Sequence, residues 1–471
     1  MISDLPSEWF SWHGLMSALG LLVYALGSHA LNQRRHPAAA IGWVMVIVLL
    51  PEVGVPLYLL FGTRKLPKAG RRLPAPASPE AGPEVAPAWV QRLTAAMSLP
   101  PPCNYRHLAI HADGHEAREA LFAVVASARR RLDMCTFILG RDAFGDELLR
   151  RLIERAQAGV TVRLLVDGMG TWMGGRKHFG EAIAAGVQVA QFVPPLRSPF
   201  RWPLRGRTNL RNHRKLVVAD ADRLWSGGRN LAAEYFEGSA ARAPWTDLSF
   251  DLQGDVAAEA AAVFDSDWGF AQSPLRDEMG IPGPRQWPPG GVRAPAAQLL
   301  PSGPDYADDT VHTLLLTSCY RARNRILIVS PYLVPDESLL SALCLAARRG
   351  VAVDIIVPAR SNHRLADISR HRPMRELARA GARLWLSPLM VHAKAVVIDE
   401  HMAMAGSVNL DSRSLFLNYE LMVGFYSEPD IARFAAWMAA LLAAARPYVP
   451  REPGLARYVG EGLVLWLAFQ I

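Results

Sequence analysis

Two short segments of the chain carry the same chemically active residue types in the same order. The matched positions are His213, Lys215, Asp220, Gly227 and Asn230 in the first segment, and His392, Lys394, Asp399, Gly406 and Asn409 in the second. Each position recurs 179 residues later without a gap. This regularity indicates an internal duplication. Each copy therefore supplies one histidine and one lysine to the chemistry.

The spacing of each His-Lys pair predicts a shared pocket for phosphodiester chemistry. Apolar runs at 216–218 and 395–398 follow the pairs and predict buried strands. Residues two apart on an extended chain lie on one face, so each histidine shares its face with a lysine. One imidazole can then attack phosphorus and the other protonate the leaving oxygen, while lysines and asparagines hold the remaining oxygens. This chemistry needs no metal, and no metal or nucleotide motif is found, so we predict no metal and no cofactor.

The elements that position these residues alternate between strand and helix in both halves. We predict strands at 131–139, 160–167, 325–331 and 351–357, with helices at 145–158 and 338–349. Strand–helix–strand units of this spacing predict an α/β fold. The expected architecture is two α/β/α sandwich repeats that form one pseudo-symmetric catalytic unit.

The N-terminal residues predict a membrane anchor. Residues 14–31 carry no charge, and an apolar stretch at 38–61 is interrupted at Pro51. Together they predict a transmembrane helical hairpin whose second helix is kinked. A cleaved signal peptide is the alternative, but acidic rather than basic residues precede the first stretch. Most lysines and arginines near the spans follow the second one, which predicts that everything from residue 64 onward is cytoplasmic.

Composition divides the rest of the chain. The predicted units are a membrane anchor at 1–63, a Pro-rich linker with one short helix at 64–104, a first catalytic domain at 105–272, a linker at 273–296 and a second catalytic domain at 297–471. The formal charge of +8 favours anionic partners. Four widely separated cysteines predict buried structural thiols in a reducing compartment.

The duplicated motif H-x-K-x4-D-x6-G-[GS]-x-N resembles the signature of the phospholipase D superfamily. Further segments are similar to bacterial cardiolipin synthases, so that the resemblance covers nearly the whole chain. These segments are residues 39–43, 50–54, 57–62, 159–163, 245–247, 330–335 and 418–420. The first copy departs from the signature at one position. The signature has a serine there, which the second copy keeps as Ser407, but the first copy has Gly228. One hydroxyl donor is therefore missing from the first copy.

The resemblance implies a role for each matched residue. His213 would be the nucleophile that forms a phosphatidyl-histidine intermediate, and His392 the general acid and then the general base. The other implied residues are Lys215, Lys394, Asn230, Asn409 and Ser407 around the phosphate, Asp220 and Asp399 as motif members of structural character, and Asp247 and Glu420 as carboxylates that orient the histidines. For the last two acids, a surface ion pair is the alternative.

Two further stretches suggest contact with lipid. Arginines interleaved with apolar residues precede the first motif, and they are Arg197, Arg201, Arg205, Arg207, Arg211 and Arg214, with Phe200, Trp202 and Leu204. Such a composition suits an anionic membrane surface, single-stranded nucleic acid or a merely solvated loop. The apolar C-terminus at 462–471 can pack on the core or enter the bilayer.

The resemblance implies an enzyme of the bacterial inner membrane. It would transfer a phosphatidyl group between two phosphatidylglycerol molecules, giving cardiolipin and glycerol. The rivals are a hydrolytic phospholipase D, a phosphodiesterase acting on nucleic acid and an inactive membrane scaffold. The predicted hairpin disfavours nucleic acid as a partner, and the intact motifs disfavour the scaffold. The preferred lipid donor and the oligomeric state stay open.

Overall fold

The computed structural model describes residues 7–30, 37–62, 85–174, 179–193, 209–238, 243–272 and 295–468. The helices are α1 Ser7–Ala30, α2 Pro37–Leu49, α3 Pro51–Phe61, α4 Ala88–Ala96, α5 Gly114–Ser127, α6 Ala143–Gln157, α7 Gly168–Gly174, α8 Gly180–Ala184, α9 Asp255–Gln272, α10 Thr310–Arg321, α11 Glu337–Arg348, α12 Arg364–Ser369, α13 His371–Arg379, α14 Ser412–Phe416, α15 Glu428–Ala444 and α16 Leu455–Ala468. The strands are β1 Cys103–His111, β2 Arg131–Thr136, β3 Thr161–Asp167, β4 Gln188–Phe192, β5 Leu216–Ala219, β6 Arg223–Gly227, β7 Ser249–Gly254, β8 Ala296–Ser302, β9 Arg325–Val329, β10 Leu333–Val334, β11 Ala352–Pro358, β12 Arg383–Ser387, β13 Ala395–Ile398, β14 Met402–Gly406, β15 Leu410–Asp411, β16 Glu420–Phe425 and β17 Arg446–Pro447.

One 15-stranded sheet runs through both halves, and its strand order is mirrored about the pair β1–β8. Outward from β1 the order is β7, β6, β5, β2, β3, β4, and outward from β8 it is β16, β14, β13, β9, β11, β12, with β17 at the edge. The central pairing is short and antiparallel, joining Cys103 to Ala297 and Asn104 to Ala296. The predicted α/β fold with two equivalent repeats is therefore confirmed.

Alternating side chains of the motif strands face two different cores, which gives the layered arrangement. Leu216 and Val218 of β5 face a central core to which both repeats contribute. Val217 and Ala219 face the opposite core, which they share with α5 and α6. Strand β13 of the second repeat alternates in the same way between the central core and the core of its own repeat. Strands buried on both faces are the consequence, as the continuous apolar runs predict.

The predicted elements occur close to their expected positions. The strand expected at 131–139 ends earlier, at Thr136, and the helix expected at 145–158 begins two residues earlier. The short helix expected in the Pro-rich region is α4, and its Val90 lies in the core of the second repeat. Gln298 Nε2 also donates to the carbonyl of Pro100 at 2.6 Å. The last part of the predicted linker therefore packs against the catalytic region.

Three helices occupy the N-terminal region, and they pack against one another. The break between α2 and α3 falls at Leu50 and Pro51, because proline suits the first position of a helix and interrupts the preceding one. Gly20 lets α1 approach closely, since a Cβ there would lie 2.5 Å from Val55 and 2.7 Å from Ile47. Among the residues that the structure describes, no helix combines the length and the apolar character needed to cross a bilayer. The pair of membrane spans stays a prediction.

Candidate active site

The two His-Lys segments meet because each pairs with the opposite repeat. Asn212 forms an isolated parallel bridge with Tyr419, and Thr246 forms one with Val391. Within these bridges the backbone N–H of His213 donates to Tyr419 O at 2.8 Å, and that of His392 donates to Thr246 O at 2.7 Å. Glu420 directly follows Tyr419, and Asp247 directly follows Thr246. Each histidine is therefore fixed beside a carboxylate of the other repeat.

The histidines and the two predicted orienting carboxylates form crossed pairs. His213 Nδ1 lies 3.0 Å from both carboxylate oxygens of Glu420. His392 Nδ1 lies 2.7 Å from Asp247 Oδ2. Both acids are fully buried, so the alternative of a surface ion pair is excluded. A carboxylate at Nδ1 holds the proton there and leaves the Nε2 lone pair for chemistry.

Burial sets the protonation state of these pairs. It lowers the pKa of His213, and together with the neighbouring Lys394 it lowers the pKa of His392 to about 3. Burial alone would raise the carboxylate pKa values, but the facing histidines hold the pKa of Glu420 and that of Asp247 below their ordinary values. In the free protein both imidazoles are therefore neutral and both carboxylates ionised.

Two buried lysines bring positive charge to the same pocket. Lys215 Nζ donates to His213 O at 2.9 Å, and Lys394 Nζ lies 3.0 Å from His392 Nε2. Burial lowers the pKa of Lys215 to about 8 and that of Lys394 to about 7. An anion in the pocket would favour the charged form of both. In the described part of the chain, no group of three or more His, Cys, Asp or Glu side chains is placed to hold a metal ion.

The motif asparagines are buried and make equivalent contacts. Asn230 Nδ2 donates to the Tyr235 hydroxyl at 2.7 Å, and Asn409 Nδ2 donates to Ser414 Oγ at 3.2 Å. Each hydroxyl belongs to the residue five positions after its asparagine. The side-chain carbonyl oxygens of both asparagines have no hydrogen-bond partner among the described residues. These oxygens can accept a hydrogen bond from a ligand hydroxyl, whereas a phosphate oxygen would need the second N–H of each Nδ2.

The exchange of serine for glycine in the first motif has a steric cause. Ser407 Oγ donates to Glu420 Oε2 at 2.5 Å. In the first repeat the carboxylate belongs to Asp247, which is one methylene shorter and lies closer to the motif backbone. A Cβ at Gly228 would be only 2.2 Å from Asp247 Oδ1. A serine does not fit there while the aspartate keeps its place, so the two differences belong together.

Comparison with known proteins identifies the family to which this site belongs. Residues 121–268 and 315–442 match the family described as "Cardiolipin synthase, PLD-like domain". The chain belongs to this family. The resemblance to bacterial cardiolipin synthases of the phospholipase D superfamily is therefore confirmed. Residues 20–62 additionally match the family "Phospholipase_D-nuclease N-terminal".

Similar proteins cover almost the whole chain. Cardiolipin synthase A of Pseudomonas putida (strain W619) is 32% identical over 440 residues, which is 89% of each protein. Cardiolipin synthase A of Pseudomonas aeruginosa (strain LESB58) is 30% identical over 461 residues, covering 93% of this chain and 91% of the relative. The phosphatidylserine synthase of Haemophilus influenzae Rd KW20 has a similar fold, with a TM-score of 0.59 at 13% identity, over 81% of this chain and 98% of its own.

Within this cardiolipin synthase fold, the motif aspartates lie away from the histidines. Asp220 and Asp399 occupy the turns at the far ends of β5 and β13, at about 16 Å from the lysines by the rise of an extended strand. Asp220 accepts hydrogen bonds from three consecutive backbone N–H groups, those of residues 129–131, each at 2.8 Å. Asp399 does the same for residues 323–325 at 2.8–2.9 Å. Their contacts are those of turn-forming residues.

The middle residue of the first motif corrects one expectation. The sequence predicts that Arg214, like the other arginines before the first motif, faces lipid, but this residue is fully buried. It contacts Asp267 and Asp305, and its Nε donates to Glu420 O at 3.0 Å. Arg211 is buried as well. The other members of that group, at 197–207, lie outside the described residues.

Side chains to which the sequence assigned no role make the two halves of the pocket unequal. The rings of Tyr235 and Trp245 lie 5.0 and 5.5 Å from the His392 ring. Near His213, Phe137 contributes one ring at 5.3 Å, and Asn418 Nδ2 donates to Glu420 Oε1 at 3.2 Å. We call each histidine with its carboxylate a dyad. Trp245 and Asn418 each lie two residues before the carboxylate of a dyad. That common offset is the signal by which the sequence could have revealed them.

Proposed function

We propose that the protein transfers a phosphatidyl group from one phosphatidylglycerol molecule to another, giving cardiolipin and glycerol. The observation that carries this proposal is the pair of crossed dyads. Each imidazole is neutral, is held at Nδ1 by a carboxylate of the other repeat, and shares its surroundings with a buried lysine. Two such groups suit a displacement at phosphorus that occurs in two steps.

In the first step, His213 Nε2 attacks the phosphorus of the donor lipid. An N–P bond forms, the P–O bond to the glycerol head group breaks, and His392 gives a proton to the departing oxygen. Because burial keeps His392 neutral in the free protein, we propose that it takes up this proton when the lipid binds. The negative phosphate favours the imidazolium form in a buried site.

In the second step, His392 acts as a base. It accepts the proton of a hydroxyl group on the second phosphatidylglycerol, whose oxygen then attacks phosphorus. The N–P bond breaks, cardiolipin leaves and His213 is restored. Lys215 and Lys394, with the amides of Asn230 and Asn409, would hold the non-bridging oxygens as charge develops. Ser407 would support the step indirectly, by holding Glu420.

The decisive experiment supplies one lipid only. Purified, detergent-solubilised protein is incubated with phosphatidylglycerol, and lipid and aqueous products are measured together. We expect cardiolipin and free glycerol in equal amounts. Phosphatidic acid as the sole lipid product would mean that water resolves the intermediate, and the protein would then be a hydrolytic phospholipase D. Degradation of single-stranded DNA that added lipid does not affect would instead favour a nucleic-acid phosphodiesterase.

We also propose that residues 1–63 anchor the enzyme in the bacterial inner membrane through two spans, with the linkers and both catalytic domains in the cytoplasm. The apolar stretches and the distribution of lysine and arginine support this topology. Single cysteines at positions 33 and 65 test it in intact cells treated with a membrane-impermeant maleimide. We expect labelling from outside at position 33 alone. Labelling at 65 would reverse the orientation, and labelling at neither position would contradict the hairpin.

A further inference from the structure

We propose that the catalytic region contacts an anionic bilayer through the edge of the second repeat where β11 and β12 end. Three large apolar side chains are exposed there, and we call them the apolar rim: Leu365 and Ile368 on α12, exposed by 57% and 39%, and Leu389 after β12, exposed by 49%. Single exposed apolar side chains are normal on a protein surface, whereas several of them at one edge are typical of a contact surface.

The rim lies beside the active site. Leu389 stands three residues before His392, and the carbonyl of the intervening Met390 accepts a hydrogen bond from Thr246 N at 2.8 Å. The end of α12 is tied to the same place, because Arg370 Nη1 donates to Pro358 O at 2.7 Å. Ala359 N in turn donates to Ser387 O at 2.8 Å. The rim and the segment that leads to His392 therefore lie at the same edge of the sheet.

The C-terminal helix extends the same surface. Helix α16 packs against α12. A buried ion pair between Arg375 and Glu461, with an N–O distance of 2.5 Å, fixes it to α13. In this position α16 leaves Leu455 81% exposed and Tyr458 50% exposed. The helix thus adds apolar area next to the rim.

The charges around the rim favour an anionic lipid surface as the partner. Arg360, Arg364 and Arg372 are exposed in the segment that contains α12. The acid of α12, Asp367, is paired with Arg370 at 3.1 Å. Apolar side chains flanked by basic ones are the composition with which proteins lie on anionic membranes.

The inference rests on the proposed function, which supplies the reason for this placement. A diacyl phospholipid keeps its acyl chains in the bilayer while its phosphate enters the pocket, because moving the chains into water is very unfavourable. The side of the catalytic region from which the phosphate reaches the histidines must then face the membrane closely. The rim allows this contact without exposing further apolar surface to water.

Lipid quenching tests the placement directly. The full chain, with Cys103→Ser to remove the one native thiol that is partly exposed, carries an environment-sensitive fluorophore at Leu365→Cys or at Leu389→Cys. A matched control carries it at Ile183→Cys on α8 of the first repeat, where the native side chain is 55% exposed. The protein is reconstituted in vesicles of phosphatidylglycerol and phosphatidylcholine whose acyl chains bear bromine. The N-terminal anchor is common to all variants, so differences report the orientation of the catalytic region.

We expect bromine to quench the fluorophore at positions 365 and 389 and to leave it unchanged at 183. Equal quenching at 365 and 183, or no quenching at 365, would overturn the proposal. If the fluorophore at position 365 is not quenched and a residue at that position instead crosslinks two copies of the protein, the surface would bind a second chain and not the bilayer. These readouts do not need turnover, so they decide the inference even if no cardiolipin is formed.

Kinetics give an independent measurement. In the double variant Leu365→Asp/Ile368→Asp, we expect the apparent KM for phosphatidylglycerol in vesicles to rise about tenfold or more, because two charges oppose contact with the bilayer. The rate with dibutyryl-phosphatidylglycerol, which is soluble as single molecules, should stay unchanged. An unchanged KM in vesicles would count against the rim, and loss of both activities would show damage to the pocket, leaving the quenching result to decide.

Discussion

The two histidines hold equivalent positions in the motif, but their surroundings differ. Polar side chains, Ser407 and Asn418, support the carboxylate behind His213, whereas two aromatic rings, those of Tyr235 and Trp245, surround His392. A group that must stay fixed during bond formation benefits from a carboxylate with several donors. A group that takes up and releases a proton is more sensitive to the polarity around it.

Separate replacement of the histidines tests this division. We expect His213→Ala to form no covalent lipid adduct, because the nucleophile is gone. We expect His392→Ala to form the adduct slowly, with kcat lowered about 10²- to 10⁴-fold, as for other losses of general acid–base catalysis. Acid-quenched samples with radiolabelled phosphatidylglycerol report the adduct. An adduct in His213→Ala and none in His392→Ala would reverse the two roles.

The low pKa values of the lysines predict an alkaline limit to activity. Lys394 and Lys215 are charged only below about 7 and about 8 respectively, so the fall of kcat/KM that the proton uptake of His392 already causes should become steeper as pH rises through this range. Burial lowers the pKa of His213, so protonation of the nucleophile should limit activity only below the ordinary pH range of a histidine. Bound phosphate favours charged lysine, so the limit in kcat should lie at higher pH. Coincident limits in kcat and kcat/KM would contradict this explanation.

Because Gly228 lies close to Asp247, we expect substitutions at Gly228 to lower activity more than substitutions at the equivalent Ser407. We expect Gly228→Ser to lower kcat about 10²-fold, because the new side chain displaces the carboxylate that orients His392. The matched variant Ser407→Ala removes one hydrogen bond to Glu420, and we expect a loss of about fivefold. Turnover of both variants is compared with their thermal unfolding. A fully active Gly228→Ser enzyme would show that Asp247 does not need this space.

At the scale of elements, each motif aspartate forms the turn at the end of a motif strand. Asp399 has a φ of 50° and Asp220 a φ of 52°, a left-handed conformation that aspartate tolerates better than most residues. Through three backbone hydrogen bonds, each turn fixes the loop that begins a neighbouring strand. Their recurrence in the motif is thus explained by the geometry of strands β5 and β13.

A substitution in the second turn separates structural from catalytic roles. We expect Asp399→Ala to lower the free energy of unfolding by about 2–4 kcal/mol, because three backbone donors lose a buried acceptor. The kcat of the folded fraction should stay within about threefold of the original, since the site is a strand length away. Asp399→Asn should lose less stability, because it retains one acceptor oxygen. Normal stability with lost kcat would make Asp399 catalytic after all.

The sequence correctly predicted that the motif strands are buried, but it did not predict that the side chain of Arg214 points into the interior. The run at 216–218 is apolar without interruption, which indicates a strand buried on both sides wherever it packs. Arg214 shows the opposite case. The arginine-rich segment around it predicts an exposed side chain, but Asp267 and Asp305 contact its guanidinium in the interior. These acids lie 53 and 91 residues further along the chain. Only the folded arrangement brings them to the guanidinium.

At the scale of the whole molecule, each dyad is shared between repeats. The sequence indicated Asp247 and Glu420 as partners of the histidines but did not indicate which acid serves which histidine. That assignment depends on two single bridges, Asn212–Tyr419 and Thr246–Val391, between segments far apart in the chain. No local pattern encodes a contact of this kind.

Shared dyads predict that the repeats work only together. A protease site introduced between α9 and β8 should leave most activity after cleavage, because the β1–β8 pairing and the Arg214–Asp305 contact still join the halves. Either half expressed alone should lose activity by more than about 10³-fold, since each histidine would lack its carboxylate. Activity assays before and after cleavage, with size-exclusion chromatography, provide the comparison. An active single half would contradict the crossed arrangement.

The mirrored sheet has a consequence for how such a site can change over generations. Two identical chains related by a twofold axis could build the same crossed dyads, but a substitution in one copy would then appear in both. Joining the copies in one polypeptide removes that constraint. Gly228 can face Asp247 while Ser407 faces Glu420, and two aromatic rings can contact His392 while His213 has one beside it. Fusion thus gives two halves of one ancestry the freedom to specialise.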